Sequence, residues 1–165
     1  QPFKILRDPR LQFTDRDLEA QFDFLMSVRD KLTETMKVVG RVRELRKNAE
    51  GAISTAKAGK AGKNAKQAAA LDKALQTLND KLYPIEERLV QYRARAGQDL
   101  INYPTAIDSK LARLMDFASM ADAPPTQGSI DLLKRLSDGV AERTTLLANV
   151  EKAEYAALMK LASAK

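Results

Sequence analysis

The sequence predicts an all-α fold, an up-down bundle of four helices, for three reasons. Apolar residues recur every three or four positions over long stretches, which is the spacing of a helix face that packs on a core. Clusters of proline, glycine and polar residues separate these stretches. The length of 165 residues suits one domain that can bury a core without disulfides or metals. The predicted helices cover residues of about 15–48, 66–93, 104–121 and 127–162.

Residues 1–13 are predicted to be a short extended segment that links the bundle, residues 14–165, to a preceding β-domain. The run from Pro2 to Leu6 resembles the last strand of such a domain, and the pair Asp8-Pro9 is typical of a turn. Arg10 lies at this junction. It is a candidate interdomain contact that pairs with a carboxylate across the junction.

The first helix begins after Thr14, whose hydroxyl can cap the free N–H groups of the first turn. Asp15 and Asp17 add carboxylates where the helix dipole favours them. The apolar stripe that follows defines one long helix ending near residue 48. Its members are Leu18, Phe22, Leu25, Val28, Leu32, Met36, Val39, Val42 and Leu45.

Residues 51–64 are predicted to form a flexible Lys/Gly/Ala tip because they hold three glycines and few large apolar groups. The alanines leave open whether either flanking helix extends into it. Residues 47–66 carry a net charge of +4 out of a total of +6. A solvated loop is the favoured interpretation, and polyanion binding is the alternative. The candidate polyanion contacts are Lys57, Lys60, Lys63 and Lys66.

The second helix has an unbroken apolar ladder with alternating steps of four and three. Its members are Leu71, Leu75, Leu78, Leu82, Ile85, Leu89 and Tyr92. Pro84 falls inside the ladder and removes one backbone hydrogen bond, so a kink is expected there. The alternative is a break at Tyr83 with a new helix starting at Pro84.

Two shorter patterns define the remaining helices. Pro104 suits the first position of a third helix, with the stripe Ile107, Leu111, Leu114 and Ala118, and with Phe117 and Met115 alongside it. Thr126 can cap the last helix, whose face contains Ile130, Leu133, Leu136, Val140, Leu147, Val150 and Leu161, with Ala157 and Leu158 beside them. The third helix is too short to cover its neighbours, so the far end of the bundle either has three helices or offers a groove to a partner.

The loop before the third helix combines apolar and polar residues. Its apolar members, Leu100, Ile101 and Tyr103, are expected to pack back on the end of the bundle, with Asp99 and Asn102 capping nearby backbone groups. The alternative is a contact surface for another domain, for which Asp99, Asn102 and Tyr103 are the candidate residues.

No catalytic, cofactor-binding or metal-binding residue is predicted, and the chain is not expected to be an enzyme. Histidine and cysteine, the commonest general base and thiolate ligand, are absent. The acidic pairs Asp15/Asp17 and Glu86/Glu87 are interpreted as dipole-compensating and surface charges. Ser54 and Lys57 have Ser-x-x-Lys spacing, but they lie in the predicted flexible tip, where nothing would lower the lysine pKa.

The composition also limits the partners. Aromatic residues make up 5% and tryptophan is absent, so no nucleic-acid partner is expected. No run approaches the roughly 18 apolar residues of a membrane span. A homodimer through exposed faces of the bundle is left open.

Several ordered blocks resemble a known family. They are PFKILRDPRL, DLEAQFDFLMSVRDKLTE, VVGRVRELR, GQDLINYP and DAPPTQGS. Together they resemble the C-terminal region of large secreted bacterial BNR/Asp-box repeat proteins, which are sortilin-like β-propellers labelled glycosyl hydrolases. The resemblance implies a propeller and a small β-domain before Gln1, and a periplasmic or secreted location. It assigns no catalytic residue, because the Asp-box motif is absent from this sequence.

These observations predict a non-catalytic helical scaffolding or protein-interaction domain at the C-terminus of a larger exported β-propeller protein. Its partner would be the propeller portion of the same polypeptide or another protein. The alternative function is binding of a polyanion or a membrane surface through the lysine-rich residues 57–66.

Overall fold

The computed structural model describes residues 2–3, 8, 10, 12–59, 64–94, 96, 99 and 101–164, and within them it is an all-α bundle. The helices are α1 (Asp15–Ala58), α2 (Ala65–Leu89), α3 (Ile107–Ala118) and α4 (Gln127–Val150), followed by a π-helical turn (Glu151–Tyr155) and α5 (Ala156–Ser163). The α4 helix, the π-helical turn and α5 follow one another without a gap. The prediction of four helices in an all-α bundle is therefore confirmed. No strand occurs in the described ranges.

The four helices occupy three columns. Along α1, Lys57 pairs with Asp72 of α2, Arg46 with Glu86 of α2, and Gln21 with the end of α3. From Lys57 back to Gln21 of α1, the residues contacted have increasingly high numbers, from Asp72 to Ala118. The α2 and α3 helices therefore both run antiparallel to α1 and lie end to end. The third column is α4 with α5. It runs parallel to α1, because α4 begins shortly after Ala121, which contacts Gln21, and Glu151 at its far end pairs with Arg41. The loop between α2 and α3 therefore interrupts the middle column.

The start of α1 is as predicted, but its end is not. The Thr14 hydroxyl accepts from the Asp17 N–H at 3.2 Å, and the Asp17 carboxylate accepts from the Thr14 N–H at 2.7 Å, which forms a capping box. The predicted end near 48 is wrong, because α1 continues to Ala58. Ala49 and Ile53 are buried and extend the apolar stripe, so residues 51–58 belong to the helix. Residues 60–63 of the predicted tip lie outside the described residues.

Pro84 lies within a continuous α2, so the alternative of a helix break at Tyr83 is wrong. The helix begins at Ala65, where the Asn64 side chain accepts from the N–H groups of Lys66 and Gln67. It ends at Leu89 and not at 93, and Tyr92 of the predicted ladder lies beyond it. Tyr92 belongs to the loop that connects α2 to α3.

The third helix is shorter than predicted. It begins at Ile107 after Ala106, whose backbone is extended, so Pro104 is not its first residue. It ends at Ala118 and not near 121. The Gln21 side chain donates to the carbonyl oxygens of Ala118 and Ala121 at 2.7 and 2.6 Å, which satisfies acceptors that the helix end leaves free.

The last helical column follows the prediction from Leu136 to Val150, where Leu136, Val140, Leu147 and Val150 are buried. Ile130, predicted on the same face, is 43% exposed, so that part of the prediction is wrong. Thr126 caps α4 by accepting from the Ser129 N–H at 3.2 Å. Beyond Val150 the π-helical turn rotates the following residues, since a π turn holds more residues than an α turn. Leu158 is consequently buried, whereas Ala157 is exposed.

The predicted extended segment, residues 1–13, is described only in part. Residues 4–7, 9 and 11 lie outside the described residues, and the others form no regular element apart from a turn at Arg10. The strand resemblance of Pro2 to Leu6 falls mostly on residues outside the described part. A preceding β-domain therefore stays a prediction.

Candidate functional site

A groove with a volume of about 980 Å³ lies between α3 and the start of α4. We call it the α3–α4 groove. Its lining includes Leu114, Phe117 and Met120 from the α3 side and Leu132 from α4. Phe117 is 59% exposed and Met120 is 73% exposed. Side chains of this size at a concave surface are suited to burial by a ligand or a partner.

The orientation of α3 explains why Phe117 is exposed beside the groove. Leu111 and Leu114 of α3 are buried in the core, which leaves Phe117 on the outer side of the helix. At the α4 side, the Thr126 and Ser129 hydroxyl oxygens lie 3.0 Å apart, and Ser129 is buried. The cap that starts α4 therefore also forms part of the groove wall.

The rim of the α3–α4 groove is positively charged. Lys110 and Arg113 line it, against the single carboxylate Asp116. Arg113 and Asp116 are 4.0 Å apart and are both largely exposed, so their interaction is weak. Lys110 has no carboxylate partner within ion-pair distance among the described residues. An acidic ligand would complement this rim.

A second pocket, of about 500 Å³, lies where α2 ends and α3 begins. We call it the junction pocket. Arg88, Arg93, Lys110 and Arg143 line it, together with the carboxylate Glu87. The Gln91 side chain donates to the Pro104 carbonyl at 3.3 Å and ties the loop end to the end of α2.

The loop residues predicted as interdomain contacts have different surroundings. Asn102 and Tyr103 line the junction pocket. The Asp99 carboxylate accepts from the Ala96 N–H at 3.0 Å, which confirms its predicted capping role. Asn102 donates its backbone N–H to the Asp99 carbonyl at 3.0 Å. Ile101 is 89% exposed and does not pack on the bundle, so that part of the prediction is wrong. Leu100 lies outside the described residues.

Arg10 makes a local ion pair, and its partner among the described residues is Asp8. Its guanidinium donates to Asp8, two residues earlier, with a shortest distance of 2.6 Å between Nη2 and Oδ2. This hydrogen bond lowers the pKa of Asp8. A role of Arg10 in an interdomain contact stays a prediction.

The lysine-rich tip is only partly described, because Lys60 and Lys63 lie outside the described residues. Lys57 Nζ pairs with the Asp72 carboxylate at 2.6 Å and joins the end of α1 to the start of α2. Lys66 is exposed in the first turn of α2. One of the four predicted polyanion contacts is therefore engaged in a link between helices.

An ion cluster that the sequence did not reveal joins α1 to α2. Glu86 is buried, which corrects its interpretation as a surface charge. Its carboxylate accepts from Arg43 Nε at 2.6 Å and from Arg46 Nη2 at 2.8 Å. The Arg46 guanidinium also lies over the Tyr83 ring at 4.2 Å. These charges flank the apolar ladders of two facing helices, and that spacing is a signal from which the pairing could have been predicted.

Two more ion pairs fix the π-helical turn. Arg41 of α1 pairs with Glu151, and Lys81 of α2 pairs with Glu154. The hydrogen bond from Lys81 lowers the pKa of Glu154. Pairing with Glu151, and secondarily with Glu44, raises the pKa of Arg41. All three columns therefore meet at this turn through charged side chains.

Two features are absent from the residues that the structure describes. These residues contain no group of three or more acidic, histidine or cysteine side chains placed to hold a metal ion. None of their helices has the length and apolarity that crossing a bilayer requires.

Comparison with known proteins gave no relative. No family model matches the chain, and no curated protein or solved structure shows significant similarity to it.

Proposed function

We propose that this chain is a non-catalytic helical domain that binds a partner protein through the α3–α4 groove. The observation that carries the proposal is the exposure of Phe117 and Met120, 59% and 73%, beside a concavity of about 980 Å³. Exposed apolar side chains that surround a concave surface typically mark an interaction site.

The partner element is an amphipathic helix with acidic residues beside its apolar face. Grooves between packed helices accept a further helix through apolar side chains at helical spacing. The three-column arrangement leaves such a groove between α3 and α4. Lys110 and Arg113 at the rim attract carboxylates, and the chain as a whole carries +6.

The partner would belong to the β-propeller portion of the same polypeptide or to another exported protein. This part of the proposal rests on the resemblance of the sequence blocks to C-terminal regions of BNR/Asp-box repeat proteins. A scaffolding role within the parent protein and a periplasmic or secreted location follow from the same resemblance. Asp-box repeats encoded upstream of Gln1 would support it, and a parent gene without them would contradict it.

The groove can be tested with two synthetic peptides of equal length. Both carry leucines at positions a and d of the heptad, with glutamates flanking the leucines in one peptide and lysines in the other. Fluorescence anisotropy would measure binding to the chain and to its variants Phe117→Ser and Met120→Ser. Met36→Ser is the matched control, because Met36 is 45% exposed on α1 and does not line the groove.

We expect the acidic peptide to bind and the basic peptide to bind at least about tenfold more weakly. Each groove substitution should reduce affinity about tenfold or more, as truncation of a buried apolar anchor does, and Met36→Ser should not. Equal binding of both peptides, or an unchanged affinity of Phe117→Ser, would refute the proposal. If the chain forms a dimer and Phe117→Ser converts it to a monomer, the occupant of the groove is a second copy of the chain and not a partner helix.

A further inference from the structure

The junction pocket holds an unusual concentration of positive charge. Arg88 comes from the last turn of α2, Arg93 from the segment after it, Lys110 from α3 and Arg143 from α4. Glu87 is the one carboxylate in the lining, and it lies 3.2 Å from Arg93. Four cations from four parts of the chain therefore face one cavity with a single counter-charge.

Most of this charge is not neutralised. No carboxylate of the described residues lies within ion-pair distance of Arg88 or Lys110. Arg143 contacts only its exposed neighbour Glu142 among them, at 3.5 Å. Like charges gathered in one concavity repel each other, and a bound anion relieves that repulsion.

Arg143 of the pocket lining also has an unsatisfied hydrogen-bond donor. Its side chain is 22% exposed, yet its Nε–H is buried and has no hydrogen-bond acceptor in the described structure. A buried N–H without an acceptor is unfavourable, and such groups are rare in folded proteins. A change in the Arg143 side-chain conformation that exposes Nε to the pocket would allow an anion there to supply the missing acceptor.

The backbone contributes to the same pocket. Ala106 is the N-cap of α3, and no side chain caps this helix end. Thr105, Ala106 and Ile107 line the pocket, and Ile107 is the residue of the first turn among them. Its N–H lies at the positive end of the helix dipole, which the Asp108 carboxylate of the same turn partly offsets.

We propose that the junction pocket binds a small molecule that carries a phosphate ester. Guanidinium groups donate in a fork that matches the oxygens of a tetrahedral oxyanion. Phosphate and sulfate esters share this shape, but a phosphate ester carries nearly two negative charges at neutral pH and a sulfate ester only one. The net charge of the lining favours the dianion. The volume of about 500 Å³ exceeds what a phosphate group alone would fill, so the ligand has an organic part.

The charge argument can be tested with phenyl phosphate and phenyl sulfate, which have similar shapes. Isothermal titration calorimetry at pH 8 and low ionic strength would measure the binding of each to the full chain. We expect phenyl phosphate to bind at least about tenfold more tightly than phenyl sulfate. Absence of binding by either probe at millimolar concentration, or equal binding of the two, would overturn the proposal.

Two variants locate the binding site. Arg88→Gln should weaken phenyl phosphate about tenfold or more, the usual effect of losing one charge-assisted hydrogen bond. Arg143→Lys retains the charge but loses the fork and the Nε–H, so it should also weaken binding. Lys73→Gln is the control, since Lys73 is an exposed α2 lysine that does not line the pocket.

Equal losses in Arg88→Gln and Lys73→Gln would show that binding is unspecific attraction to the surface, which contradicts the proposal. Thermal unfolding of each variant would verify that the bundle is intact. Lys110 lines both concavities and is left unchanged, so the experiment is independent of the α3–α4 groove. Phe117→Ser should bind phenyl phosphate normally.

Discussion

The carboxylate of Glu86 accepts a hydrogen bond from Arg46 Nη2 at 2.8 Å inside the interface between α1 and α2. Glu86 is 3% exposed, and the Arg46 side chain is 17% exposed. Removing one member of a buried ion pair leaves the other charge without a partner, which costs more than the pair contributes. Loss of either partner should therefore destabilise the interface between these two helices.

We expect Glu86→Gln to lower the free energy of unfolding by about 2–3 kcal/mol, somewhat below the usual cost for buried pairs because Arg43 is half-exposed. Urea denaturation followed by circular dichroism would measure it. Glu50→Gln is the control, because Glu50 is an exposed residue of α1, and its effect should stay below about 0.5 kcal/mol. Equal stabilities of the two variants would show that the Glu86 pair does not stabilise the bundle.

Gly51 tests the extension of α1 to Ala58. Its φ is not positive, and nothing lies within 4 Å of a Cβ added there. Alanine should therefore stabilise the protein by about 0.5–1 kcal/mol, as in any exposed helix interior. Gly40→Ala, in the middle of α1 with equally open surroundings, should give the same gain. A gain at residue 40 without one at residue 51 would place the end of the helix before Gly51.

Gly139 of α4 should respond differently. A Cβ at this position would lie 3.1 Å from Ile107 Cδ1, so the helix-propensity gain of about 1 kcal/mol is opposed by a tight contact. We expect Gly139→Ala to be less stabilising than Gly40→Ala. Adding Ile107→Val removes the Cδ1 atom, and a double-mutant cycle should give a favourable coupling of about 0.5 kcal/mol or more. Strict additivity would contradict the close approach of α3 and α4 at this point.

Glu154 should make stability depend on pH in the acid range. Lys81 lowers the pKa of Glu154 in the folded state, so the unfolded state binds a proton more readily. The contribution is complete above the unfolded pKa of about 4.3 and is lost as the pH falls through the lower folded pKa. The stability difference between the wild type and Glu154→Gln should therefore be larger at pH 7 than near pH 3. A difference that stays constant between these two pH values would rule out this linkage.

The number and order of the helices could be predicted because the apolar spacing that defines each helix is a local property. The ladder from Leu71 to Leu89, and the caps at Thr14 and Thr126, can be recognised from a few neighbouring residues. The end of α1 could not, because Ala49 and Ile53 become buried only when α2 packs beside them. The composition of residues 51–58 alone predicts a flexible loop.

The binding surfaces were predictable to different degrees. The short third helix leads to a groove as one of two predicted alternatives, and the α3–α4 groove lies beside that helix. The junction pocket depends on Arg88 and Arg143, which are far apart in sequence and meet because α2 and α3 share a column beside α4. No local pattern contains that information, since it comes from the order in which the columns assemble.

The π-helical turn makes this part of the chain tolerant of a change in length. From Val150 the next fully buried leucine, Leu158, is eight positions away, where a regular heptad would place it after seven. A chain that lacked Ala153 could form an ordinary α-helix here and still present that leucine to the core. A deletion inside α4 has no such surplus residue, and it would turn every later apolar side chain by about 100° away from its neighbours.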